Sequence, residues 1–266
     1  MMAQLSWVVA VMAVVMTAGW CFQRAVHNAG WSDVFWTYGT GATCAAVALM
    51  PFGAHAAPTW RQGVVATLVA IWALRLGSYV ALRVARGRED VRYAGLRQSW
   101  GPAFQRKLFA LLIVQAPATM LLSISVLLAA RNPEPRLRLV DVLGVLVLLV
   151  AIGGEAMADR QMQQFKQRQR DPGVVCTSGL WAWSRHPNYF FEFLGWIAYP
   201  LLAVRPAAPW SWAAWIAPLV MFGLLRFLTG VPALEAAMLR SKGEAYARYQ
   251  AHVNTFFPLP SLRSEG

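Results

Sequence analysis

Charged residues are scarce in this chain. Asp, Glu, Lys and Arg make up 14% of its 266 residues and 58% are hydrophobic, with a mean hydropathy of +0.43. Soluble domains carry about 25% charged residues, so an ordinary soluble fold is excluded and a polytopic membrane protein is expected. Cysteine is also sparse. Cys21, Cys44 and Cys176 lie far apart, which leaves no disulfide framework and no metal-ligand spacing. The four scattered histidines make no metal site either. Acidic residues are outnumbered 12 to 24 by basic ones, giving a formal charge of +12. In a membrane chain such an excess marks cytoplasmic loops rather than a nucleic-acid surface. A Walker A loop, a GxGxxG between strand and helix, HExxH and CxxC are all missing. The N-terminal apolar stretch lacks a basic flank and a clear small-residue cleavage site, so a retained first span is expected rather than a signal peptide.

What is present is a series of apolar runs. They predict an all-α fold of about seven transmembrane helices, near Leu5–Phe22, Val34–Phe52, Val64–Val84, Leu108–Ala130, Val140–Ala158, Tyr189–Val204 and Trp212–Thr229. With the N-terminus outside, the cytoplasmic segments 23–33, 85–107, 159–188 and 230–266 hold sixteen Lys and Arg, and the external segments hold five. That asymmetry supports N-out and C-in. The expected organisation is a single membrane domain over 1–266, with substrate-side helices in 1–84. Residues 85–266 then form a cofactor-binding half, carrying the loops 85–107 and 159–188 and the tail 230–266.

Polar side chains cluster on this apolar background. Trp72, Arg75, Tyr79 and Arg83 are spaced by three, four and four, which puts them on one helix face. A charge inside a span costs about 2.5–3.5 kcal/mol on insertion scales and faces a cavity or a partner. Arg83 either snorkels to the interface or serves a ligand; Arg75, two turns deeper, points to a function or a buried ion pair. Arg86–Tyr93 is either a solvated loop or a phosphate clamp in which Glu89 and Asp90 orient the guanidinium forks or take ribose hydroxyls. Glu155, Asp159, Met162 and Lys166 share a face of a helix whose polar second half projects from the membrane. The densest cluster is Gly179–Glu192. Pro187 biases His186 away from helix, so a helix begins there and its first N–H groups offer an anion site beside Arg185. The alternative is a polar helix start anchored among headgroups by its aromatics. In the tail, Lys242, Tyr246 and Tyr249 share a face, as an amphipathic interfacial helix or as a lid over a cytoplasmic ligand.

Taken in order, these residues carry a resemblance. The pattern Trp72-x-x-Arg75-Leu76-x-x-Tyr79-x-x-x-Arg83, Glu89-Asp90-x-Arg92-Tyr93, Asp159-x-Gln161-x-x-x-Phe165-Lys166, Gly179-Leu180-Trp181-x-x-Ser184-Arg185-His186-Pro187-Asn188-Tyr189-x-x-Glu192, Glu235 and Tyr246-x-x-Tyr249 resembles the bacterial branch of the steroid 5α-reductase family, from about residue 65 onward. The RHPNY segment and the tyrosine-rich tail are also similar to sterol C14-reductases and isoprenylcysteine carboxyl methyltransferases. The resemblance implies a seven-helix, NADPH-dependent reductase of the bacterial inner membrane, with its site facing the cytoplasm. The substrate would be a steroid-like enone entering from the bilayer, with membrane lipids around it and no obligate protein partner. Asp159, Lys166, Asn188, Glu192 and Arg226 match family positions that contact the cofactor. Arg75, Arg83, Arg88, Arg92 and Tyr93 match positions that help close the site. Trp183, Arg185, His186, Tyr189, Tyr246 and Tyr249 join them as further cofactor-binding candidates.

One feature departs from the family pattern. Animal steroid reductases pair a second-helix Glu with a third-helix Tyr at the substrate carbonyl. Here Trp72 takes the tyrosine's place and the second span shows no obvious Glu, leaving Tyr38, with Asp33 behind it, as proton donor or as an interface residue. Two other functions compete. An S-adenosylmethionine-dependent methyltransferase would need few of the arginines in 86–92, because its cofactor carries no phosphates. A non-catalytic lipid-binding bundle would not explain why Arg, Asn and Glu gather toward one side of the membrane.

Overall fold

In the computed structural model, residues 1–51, 57–87, 89–169, 171 and 173–260 are described. Eleven α-helices follow one another among them: α1 Met2–Val26, α2 Trp31–Leu49, α3 Trp60–Arg86, α4 Val91–Trp100, α5 Phe104–Ile113, α6 Gln115–Ala130, α7 Leu139–Arg168, α8 Pro187–Ala203, α9 Ile216–Gly223, α10 Val231–Lys242 and α11 Glu244–His252. Short 3-10 turns fill several joints, and a π-helical turn spans Leu224–Leu228. Extended pairing is limited to an isolated bridge, Ser184 to Asn254, among the described residues.

Five helical stretches are long and apolar enough to cross a membrane: Met2–Val26, Trp60–Arg86, Val91–Ala130, Leu139–Arg168 and Pro209–Lys242. The seven expected runs all fall on helices, so the difference lies in two of them. Helix α2 has 19 residues but carries Asp33 and the buried Thr37, Thr40 and Thr43, and α8 has 17, about 26 Å at 1.5 Å per residue. The supposed loop 85–107 is largely helical. Tyr93, Leu96 and Trp100 recur at three and four residues, and that face of α4 packs on a core containing Leu5, Val8 and Phe104. Phe52 and Arg88 lie outside the described residues.

The chain divides into two compact units. The first comprises Met1–Val145 and Ile197–Val220, and the second Leu146–Trp196 and Met221–Gly266. The division therefore falls inside α7 and α8. In the first unit α2 packs on α3 and α1 lies against α2 and α6. Close approach is what allows the α2–α3 contact. A Cβ on Gly41 would overlap that of Ala73, and one on Gly77 would come within 2.7 Å of the Tyr38 ring.

At one end of the first unit a buried ion network joins the starts of α3 and α7. Asp141 accepts from Arg61 at 2.6 Å and from Arg138 at 2.7 Å, with Arg61 and Asp141 almost wholly enclosed. Arg61 also donates to the carbonyls of Glu134 and Arg136, and Arg138 to those of Leu202 and Val204. Removing one charge from such a pair strands the other at a cost of about 3–5 kcal/mol. Asp141→Asn is therefore expected to lower the thermal midpoint of the detergent-solubilised protein sharply. Glu244→Gln, which removes a solvent-exposed pair, should leave it unchanged.

Candidate functional site

In the second unit the Gly179–Glu192 segment is built against α7 and the tail. Gly179 sits at φ +62°, a left-handed conformation that turns the chain into the 3-10 stretch Gly179–Ala182. Helix α7 holds that turn: Gln161 accepts from the Leu180 N–H at 2.9 Å, and the Ala158 carbonyl accepts from the Trp181 indole at 3.0 Å. Trp181 is buried, whereas Trp183 is 50% exposed. Ser184 then shapes the turn into the coming helix by accepting from the His186 N–H at 3.1 Å, while its hydroxyl donates to the Phe256 carbonyl at 2.9 Å.

Arg185 is the strut of this site. Its Nε donates to Glu235 at 2.7 Å, Nη1 to the carbonyls of Gln250 and Val253, and Nη2 to the Thr255 hydroxyl at 2.8 Å. Glu235 gathers Arg185, His186 and Gln250. The His186 ring is 1% exposed, stacks on Tyr189 at 5.4 Å between centroids, and meets Glu235 through Nε2 at 3.1 Å. Because a carboxylate can only accept, Nε2 carries the proton and Nδ1 is left as a buried lone pair without a hydrogen-bond partner. Burial holds the imidazole below its usual pKa of 6.5, and the neighbouring Glu235 opposes that only in part.

Tyr246 and Tyr249 of α11 point into the same unit. Tyr249 donates to the Trp181 carbonyl at 2.5 Å, and burial pushes both phenols well above their ordinary range. Lys242 donates to the Val174 carbonyl. The tail thus closes on its own unit, with its phenols turned inward. Phe256 completes the seat among Phe190, Phe193 and Phe222. Asn188 and Tyr189 are half-buried in the first turn of α8, and Glu192 accepts from the Trp196 indole one turn on. Asp159 is buried on α7, Lys166 is exposed near its end, and Arg226 lies in the π-helical turn over the Phe227 ring. Of the sequence-derived candidates, Arg185, His186, Tyr189, Tyr246 and Tyr249 come together here. Glu235, which joins them, belongs to the motif but carried no assigned role. Its signal was its place one turn past the Gly230-Val231-Pro232 helix start.

The first unit holds the remaining candidates. Asp33 accepts from the Arg92 guanidinium and the Tyr93 hydroxyl, each at 2.7 Å, one on each oxygen. Both oxygens are thus occupied as acceptors. Asp90 caps α4 and binds Arg92 and Arg83, and Glu89 binds Arg97 and the Ala29 N–H. The two acids hold the neighbouring Arg92 and Arg97 side chains. Although burial alone would raise it, Asp90 is pulled down to about 2 by Arg92 and Arg83. Arg75 and Arg83 flank the Tyr79 ring at 5.6 and 6.0 Å, so the expected shared face of α3 is real. Trp72 also meets the Trp36 ring of α2 edge-on. The Tyr38 hydroxyl pairs with Ser78 at 3.0 Å across α2 and α3.

These features define an all-helical, polytopic membrane protein. Over residues 19–253 the chain matches the family described as "Protein of unknown function (DUF1295)", and it belongs to that family. It is also 34% identical over 84 residues to the uncharacterized protein C594.04c of Schizosaccharomyces pombe, a stretch covering 30% of this chain and 23% of that protein. No solved structure matches.

His186 gives the site a pH signature. Its folded-state pKa lies below 6.5, so it contributes stability that is whole above pH 6.5 and is lost as pH falls toward the folded value. The thermal midpoint should therefore drop between pH 7 and pH 5, and His186→Gln should flatten that drop.

Proposed function

We propose that this protein is an NADPH-dependent reductase of the C=C bond of a lipophilic enone, with a 3-oxo-Δ4 steroid as the substrate class. The observation that carries the reading is the buried cluster of Arg185, His186, Glu235 and Tyr246 at the start of α8. Within it a neutral imidazole keeps an unpartnered Nδ1 lone pair. Such an acceptor suits a hydroxyl or carboxamide donor, which a nicotinamide nucleotide carries and a lipid tail does not. Asn188 adds an amide in the first turn of α8, and the exposed Trp183 indole adds a stacking surface. The cations Arg226 and Lys166 suit phosphates. Arg185, whose three nitrogens are all engaged, acts by holding the turn and tail in place.

When bound, NADPH supplies a hydride to the β-carbon of the enone. The chain's share is to bind and orient the reactants, exclude water and manage one proton. On this reading Tyr38 holds a proton toward the substrate carbonyl, and Ser78 fixes the hydroxyl's direction. Asp33, accepting at both oxygens, positions Arg92 and Tyr93 rather than giving up a proton itself. The chain would lie in the cytoplasmic membrane with seven spans, N-terminus outside and the loops that bear the cofactor residues facing the cytoplasm.

Purified protein mixed with NADPH and progesterone is expected to consume the nucleotide and yield a product two hydrogens heavier. Asn188→Ala should raise the NADPH Kd about tenfold or more while leaving the fold intact. Tyr38→Phe should cut turnover by about 10²–10⁴ with little change in NADPH binding. Should S-adenosylmethionine bind and NADPH not, a methyltransferase replaces this reading. An unchanged Kd in Asn188→Ala would remove the cofactor from this cluster.

A further inference from the structure

The first unit contains a cavity of about 200 Å³ between the starts of α3 and α7. Its wall is almost wholly aliphatic, from Val64, Val65, Val142, Val145 and Leu202, with the indole of Trp60 at its edge. Its polar boundary is the Arg61–Asp141 pair, whose donors and acceptors are met within the protein. An apolar cavity of this kind does not hold water well. The ends of two membrane-crossing helices meet at it, so its mouth lies at the level where hydrocarbon gives way to headgroups. Trp60 is 45% exposed there and its indole donates to the Pro135 carbonyl, the posture of an interfacial anchor. Leu137 and Leu139 beside it are exposed, at 65% and 85%, which a bilayer covers and water would not.

The rim is basic. Segment 131–138 carries three arginines and one glutamate. Arg138 is spent on Asp141, but Arg136 is exposed, with its carbonyl held by Arg61 and its backbone N–H by Glu134. The backbone on both sides of that guanidinium is thereby fixed, next to the lining residue Leu137. We propose that this groove binds one anionic phospholipid. An acyl chain would fill the cavity against Val64, Val142 and Leu202, and the headgroup phosphate would lie on Arg136. A zwitterionic lipid could fill the same cavity but would gain less from the rim.

The test is native mass spectrometry of the detergent-purified full chain with phosphatidylglycerol or phosphatidylcholine of identical acyl chains. Wild type is expected to retain phosphatidylglycerol about fivefold better, the factor that one surface arginine supplies. Arg136→Gln should bring the two lipids level. Val142→Phe, a substitution at an exposed wall position, should reduce retention of both. Val64→Phe, deeper in the wall, is the second such variant. Equal retention of the two lipids by wild type overturns the proposal. So does a phosphatidylglycerol preference that survives Arg136→Gln, or undiminished retention in both wall variants.

Discussion

A carboxylate drawn out of water costs free energy unless it is paired or hydrogen-bonded, and several acids of this chain are met by arginine. Asp33, Asp90, Glu89, Asp141 and Glu235 each face at least one guanidinium. Lysine would serve less well, because a planar fork can bridge a carboxylate and several carbonyls at once, as Arg61 and Arg185 do. Charges paired in this way fix register more than they add stability. In the first unit they fix the starts of α3 and α7 and the join between α2 and α4. In the second they fix a turn, a helix start and a tail.

That economy changes how the basic residues are read. A surplus of arginine resembles a phosphate site when seen as letters, yet Arg92 and Arg185 are engaged by carboxylates and carbonyls of their own units. Their effect on a bound anion would come through the field they set and the backbone they hold. Direct contact with an anion would fall to side chains less committed to the fold, while the Nδ1 lone pair of His186 could meet only a donor.

Much of the helical layout was legible because apolar runs have length and period, and the helix start at Pro187 because proline permits little else there. Helix α4 escaped notice because its apolar face is only Tyr93, Leu96 and Trp100, scattered among arginines and polar residues. The pairing of Glu235 with Arg185 spans 50 residues, and no local pattern encodes it. The inward turn of Tyr246 and Tyr249 was equally hidden, since a tyrosine at an interface and one in a core have the same spacing. For Asp33 the sequence marked an acid at a helix start but not the hydroxyl and guanidinium that occupy it.

The isolated bridge between Ser184 and Asn254 also bears on how the molecule is made. Arg185 and its partner Thr255 are 70 residues apart. At about 5–20 residues per second, translation leaves roughly 4 to 14 seconds between them. During that interval the turn before α8 has emerged but lacks the carbonyls of Val253 and Phe256, and for its first 50 residues a guanidinium and an imidazole also wait without their carboxylate, Glu235. The second unit is thus completed only after residues 235–256 have followed α9 out of the ribosome.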